Sequence, residues 1–113
     1  MPQYLVQVAY TPESWAAMVD TPQNRQELVR PALESIGGKF LHAWMAFGEY
    51  DLIGIIETPS NIDAAAFSIG VASKGTVRAL HTTPLLTMEE GVSAMKRAQQ
   101  VAYKPPATAA GVR

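Results

Sequence analysis

The stretch Ala43-Trp44-Met45-Ala46-Phe47-Gly48-Glu49-Tyr50-Asp51-Leu52-Ile53-Gly54-Ile55-Ile56 decides the fold. It reads as two strands joined by a tight turn, because apolar and β-branched residues flank a short interruption at Gly48-Glu49. That dipeptide suits a two-residue type II′ turn, whose first central position needs a positive φ that glycine adopts cheaply. Pairing Phe47 with Tyr50 sets Met45 opposite Leu52, Ala43 opposite Gly54 and Leu41 opposite Ile56 on one wholly apolar side. The other side pairs Ala46 with Asp51, Trp44 with Ile53, His42 with Ile55 and Phe40 with Glu57. Helices belong on the first side. The second is too apolar to be left to bulk water.

On the N-terminal side of this hairpin, Tyr4–Tyr10 is rich in β-branched and aromatic residues and reads as a first strand. Thr11-Pro12-Glu13 supplies a cap, a proline at the first helical position and an early acid, predicting a short helix to about Val19. Asp20-Thr21-Pro22 repeats the signal, and Leu28, Val29, Ala32, Leu33 and Ile36 then fall on one helical face. Pro31 lies inside this second helix and predicts a kink or break. Gly37-Gly38 predicts a left-handed cap ahead of a strand over Lys39–Phe47. Its partner is predicted over Tyr50–Glu57.

Beyond the hairpin, Thr58-Pro59-Ser60 with Asp63 predicts a further helix, with Ile62, Ala65, Ala66, Ile69 and Ala72 as its buried stripe and Phe67, Val71 and Lys74 off it. Gly75 caps it, Thr76–Thr83 reads as a fourth strand, and Thr87 starts a last helix ending near Val101. The order β-α-β-β-α-β with a trailing helix is that of a ferredoxin-like α+β domain: a four-stranded antiparallel sheet with helices on one face. The open face, carrying Trp44, Ile53, Ile55, Phe40 and His42, predicts two sheets packed face to face. The domain is expected to span 1–102, with 103–113 as a flexible or partner-bound tail.

A chain of 113 residues has room for one domain with its own core. Without cysteine it offers no disulfide, no thiolate nucleophile and no cysteine-ligated metal, which fits a cytoplasmic setting. The formal net charge of −1 gives no whole-chain footprint for nucleic acid or anionic lipid. No apolar run approaches the ~20 residues that span a bilayer. An apolar content of 48% beside only 17% charged residues fits a chain covered in part by another copy of itself.

The tetrapeptide Gly48-Glu49-Tyr50-Asp51 resembles the Gly-x-Tyr-Asp signature of the GYD family. The likeness also takes in Tyr4–Pro12, Gly37-Gly38-Lys39, Phe47–Asp51, Ser73-Lys74-Gly75-Thr76-Val77-Arg78 and Thr82-Thr83. The resemblance implies a ferredoxin-like protein of the dimeric α/β-barrel type, in a family whose biochemical role is largely undefined.

Asp51 is the sharpest candidate for chemistry. At the start of a strand, among apolar neighbours, its carboxyl would be suited to proton transfer; equally, it could accept backbone donors at the turn and be structural. His42 offers a base, a donor or an axial haem ligand, against the plainer reading of an interior histidine. Some four residue steps, roughly 13 Å, separate it from Asp51, so the two are not a dyad. Tyr50 joins them as a catalytic candidate, packing its ring with the hydroxyl at the rim. Gln7, Trp44, Lys74 and Arg78 are the candidate ligand-binding residues, the two cations flanking Gly75 where they could meet a carboxylate or phosphate. His81 shares no ligand spacing with His42, so no metal or cofactor is expected. The reading is a homodimer or larger homo-oligomer that binds a small organic molecule between sheet and helices, with or without metal-free acid–base catalysis. The alternatives are a non-catalytic binding module and a purely structural oligomer.

Overall fold

The structure is a computed structural model and describes residues 1–107. Strands β1 (Gln3–Tyr10), β2 (Lys39–Met45), β3 (Leu52–Glu57) and β4 (Val77–Leu85) form one sheet in the order β2-β3-β1-β4. Each neighbouring pair is antiparallel. Helices α1 (Pro12–Asp20) and α2 (Arg25–Glu34) join β1 to β2, α3 (Asn61–Ala72) joins β3 to β4, and α4 (Met88–Ala98) trails. This is the ferredoxin-like α+β arrangement predicted from the order of elements.

Alternation along β1 sorts the two faces of the sheet. Tyr4, Val6, Val8 and Tyr10 are buried on the helix side, where they meet Leu33 of α2, Ile56 of β3 and Ala64 and Phe67 of α3. Trp15 and Met18 of α1 and Val77 and Leu80 of β4 pack around that cluster. Leu5 and Gln7, on the opposite face, are only half-buried.

The helix starts follow their local chemistry. The Thr11 side chain accepts from the Ser14 amide, with Pro12 at the first helical position. Asn24 caps α2 by accepting from the amides of Gln26 and Glu27. The cap of α2 therefore lies three residues beyond Thr21, which instead closes α1 by donating its amide to the Ala17 carbonyl. No break occurs at Pro31: α2 runs on to Glu34, and the Ser35 amide bonds to the Pro31 carbonyl at 2.9 Å. The carbonyl that Pro31 leaves without a helical donor belongs to exposed Glu27, where water can satisfy it. Gly37 takes the left-handed conformation (φ +79°) expected of its cap.

Three expectations are corrected. First, the hairpin has no two-residue turn. β2 ends at Met45 and β3 starts at Leu52, the Ala46 amide bonds to the Asp51 carbonyl at 2.8 Å, and Gly48 does not have a positive φ. Tertiary contacts account for the wider loop: the Asp51 amide is drawn to the Val8 carbonyl at 2.7 Å, Tyr50 sets its ring edge-on to His81 at 5.4 Å, and Arg78 donates to the Glu49 carbonyl.

Second, the pairing predicted from Met45 to His42 holds, but a β-bulge at Leu41 shifts the rest, pairing Phe40 with Ile56 and Lys39 with Glu57. The extra residue returns Phe40 to the helix side, where it packs on the core instead of on the open face. Lys39 then reaches the Glu57 carboxylate at 3.6 Å.

Third, α3 is rotated from its predicted orientation. Ala64 and Phe67 are buried, whereas Ile62 and Ile69 face outward. Apolar residues surround this helix, so its pattern alone does not choose a face. Hydrogen bonds do: Ser68 Oγ to Thr82 Oγ1 at 2.6 Å, and the Tyr4 hydroxyl to Asn61. α4 begins with the full capping box of Thr87 and Glu90, yet none of its residues is buried. The structure describes 103–107 without regular structure, and the remainder of the predicted tail lies outside the described residues.

Candidate functional site

A cleft of about 440 Å³ opens where α1 and the start of α2 lie over the end of the β2–β3 hairpin. Trp15, Met18, Val19, Pro22 and Met45 give it apolar walls, and Tyr10, Asn24, Arg25, Gln26 and Asp51 bring polar groups to it. Its volume lies within the ~300–1,000 Å³ range of pockets that hold small molecules.

Tyr10 reaches the cleft because it ends β1 on the helix side. A register shift after Ala9 pairs it with Val77 of β4. Its ring meets Trp15 edge-on at 5.6 Å. Burial pushes the Tyr10 phenol above its ordinary pKa, with the Arg25 guanidinium pulling it back down and the Asp51 charge pushing it up.

Asp51 stands where β3 has run out. Its Oδ2 accepts the Tyr10 amide at 2.9 Å, supplying the acceptor that a further strand residue's carbonyl would have supplied. The carboxylate is buried and tied to the backbone, the arrangement of the structural alternative.

Arg25 is the first residue of α2. Its Nη1 donates to Gln23 Oε1 at 2.8 Å, while its Nε is buried and has no hydrogen-bond partner. The ion pairs found among the described residues are Arg30–Glu27 and Lys39–Glu57, so Arg25 has no carboxylate of its own. Arg25 also borders a void of about 50 Å³ among Val8, Phe67 and Leu80, which places the guanidinium between cleft and core.

The other predicted residues lie elsewhere. Rows across the open face run Trp44, Ile53, Gln7, His81 and, one step along, His42, Ile55, Leu5, Thr83. His42 stacks on Trp44 with ring centroids 5.6 Å apart. Trp44 also reaches the cleft edge, and it alone among the predicted ligand-binding residues lines the cleft. Tyr50 lies over His81, its phenol pushed up by burial and by neighbouring Glu49. Lys74 borders a separate, open groove between α2 and α3. Arg78 holds the Glu49 carbonyl at 3.2 Å. Asp51, His42 and Tyr50 are thus not gathered at one point. Among the described residues, no group of three His, Cys, Asp or Glu side chains is placed to hold a metal ion. No helix among them is long and apolar enough to cross a membrane.

The GYD domain profile matches residues 4–95, from β1 into α4. The chain belongs to the GYD domain family. Its Gly48–Asp51 segment has the family signature, whose aspartate here holds the end of β1 against β3. Among solved structures, the crystal structure of FFRP-DM1 is similar at 18% identity and a TM-score of 0.50, over 76% of this chain and 100% of that one. The crystal structure of hypothetical protein PHS023 from Pyrococcus horikoshii is similar at 17% identity and a TM-score of 0.49, over 80% and 95% respectively. The first likeness, at such low identity, concerns the fold alone. No curated protein matches the chain.

Sequence reasoning missed Tyr10, Trp15 and Arg25 as members of the site. One signal was legible. A cation in the first turn of a helix opposes the macrodipole, so Arg25 stands out once Asn24, and not Thr21, is recognised as the cap.

Proposed function

We propose that this GYD-family protein is a homodimer that binds a small organic molecule in the cleft between α1, α2 and the end of the β2–β3 hairpin. The observation that carries the reading is the cleft itself: about 440 Å³ of largely apolar lining around buried Tyr10 and Asp51 and half-buried Arg25. An apolar hollow with a few convergent polar groups is the usual form of a small-molecule site. Binding without turnover is favoured over acid–base catalysis, because Asp51 is held by the Tyr10 amide and neither His42 nor Tyr50 lines the cleft.

The assembly rests on the open sheet face. Trp44 is 56% exposed there, beside half-buried Ile53, Ile55 and Leu5. A second copy laid against this face would remove that apolar surface from water.

Native mass spectrometry of the protein purified from its own host tests both parts. Dimers carrying a small-molecule adduct are expected, with the adduct lost in a cleft-filling Ala43→Phe variant. Trp44→Glu is expected to give monomers by size exclusion with light scattering. Adduct-free wild-type protein that also fails to bind apolar probes would end the binding reading, and an unchanged oligomer in Trp44→Glu would end the sheet-on-sheet reading.

A further inference from the structure

Arg25 combines three features that do not go together in a free protein surface. Its Nε is buried without a partner, although a buried donor left unpaired is costly. Its charge sits at the first residue of α2, the positive end of the helix dipole, where an anion and not a cation is favoured. Among the described residues it forms no ion pair, since the one carboxylate bordering the cleft, Asp51, accepts from Tyr10 instead. A bound anion at the guanidinium would answer the second and third of these.

The guanidinium geometry narrows the anion. Gln23 occupies Nη1 and Nε is sealed from solvent, which leaves Nη2 as the donor open to a ligand. A carboxylate oxygen accepts from such a donor in a charge-assisted hydrogen bond. A phosphate dianion does not suit the site, because among the described residues Arg25 is the only cation that lines the cleft. The walls of Trp15, Met18, Val19 and Met45 require an apolar body behind the charged head.

We propose that the ligand is a small monocarboxylic acid with an apolar, aliphatic or aromatic body, anchored through its carboxylate on Nη2 of the Arg25 guanidinium. This rests on the cleft-binding reading above and specifies its ligand class. Tyr10 lines the same cleft and brings a phenol donor to it. Asp51 bars a second negative charge on the ligand body by repulsion.

The experiment titrates the full-length protein with matched pairs: phenylacetate against phenylacetamide, and the unbranched acids from butyrate to octanoate against their amides. Inorganic phosphate serves as a further probe. Trp15 and Trp44 both line the cleft, so their fluorescence reports binding. At least one acid is expected to bind ~10–100-fold more tightly than its amide, the range of a charge-assisted hydrogen-bonded anchor. Arg25→Gln should abolish that preference. Arg25→Lys, which keeps the charge but not the guanidinium, should retain part of it and guards against a folding defect in the first variant. Lys96→Gln, on α4 and away from the cleft, should change nothing.

Acids and amides that bind equally well across the panel, or a preference that survives in Arg25→Gln, would overturn the carboxylate assignment and leave the cleft reading standing. Phosphate binding tighter than every acid would overturn it too. Failure of all acids and amides to bind would overturn both readings together.

Discussion

Asp51→Ala is the most informative single substitution for the architecture of this domain. The native carboxylate is buried and accepts the Tyr10 amide at 2.9 Å, at the point where β1 continues past the end of β3. A hydrogen bond to a charged acceptor contributes roughly 1.5–3 kcal/mol, and truncation also leaves the buried Tyr10 N–H with no acceptor, so a loss of about 2–4 kcal/mol is expected. Asp51→Asn keeps an oxygen in place and should cost only about 1 kcal/mol. Against a total stability on the order of 5–15 kcal/mol, the alanine variant is a severe change. The assay is urea unfolding at fixed protein concentration, because an oligomer's apparent stability depends on concentration. With a slope on the order of 2 kcal/mol per molar urea, the midpoint of Asp51→Ala should fall by about 1–2 M. Alanine and asparagine variants both within ~0.5 kcal/mol of the native protein would refute the role given to this carboxylate.

Other expectations follow from the same geometry. Gly48→Ala should be neutral within about 0.5 kcal/mol in thermal unfolding, since its φ is not positive and an added Cβ meets nothing within 4 Å; a cost of 1 kcal/mol or more would restore the type II′ turn. Phe67→Ala should destabilise by roughly 3–5 kcal/mol and Ile69→Ala by far less in the monomeric Trp44→Glu background, and the reverse order would mean that α3 presents its other face to the sheet. Because burial raises the Tyr10 phenol above its unfolded value, the folded state holds the proton longer. Stability is therefore unaffected below pH ~10 and falls as pH rises through the folded value. Tyrosinate absorbance, with Tyr10→Phe as the reference, should show this group titrating late, and later still in Arg25→Gln, which removes the opposing charge. An unchanged titration in Arg25→Gln would separate Arg25 from Tyr10.

The local signals in the chain translated directly into structure. Thr11-Pro12, Ser60 and Thr87 cap their helices as read, and Gly37 takes its left-handed turn, because each depends on groups within a few residues. The strand pairing of His42–Met45 with Leu52–Ile55 was equally legible, since alternation leaves one register that keeps the apolar side together. Asp51 was visible as a residue of consequence, with both of its roles open, and the Tyr10 amide that chose between them lies 41 positions away.

What the sequence determined by itself was the order of elements, their capping and hence the ferredoxin-like sheet with its two unequal faces. Only the tertiary structure decided the bulge at Leu41, the rotation of α3, the open loop at Gly48 and the meeting of Tyr10, Arg25 and Asp51 at one cleft. Capping and alternation are short-range and nearly independent of the rest of the chain. The other features are set by hydrogen bonds and packing between segments far apart in sequence, such as Ser68 to Thr82, Arg78 to Glu49 and Tyr10 to Asp51, whose energies outweigh the weak local preferences they override.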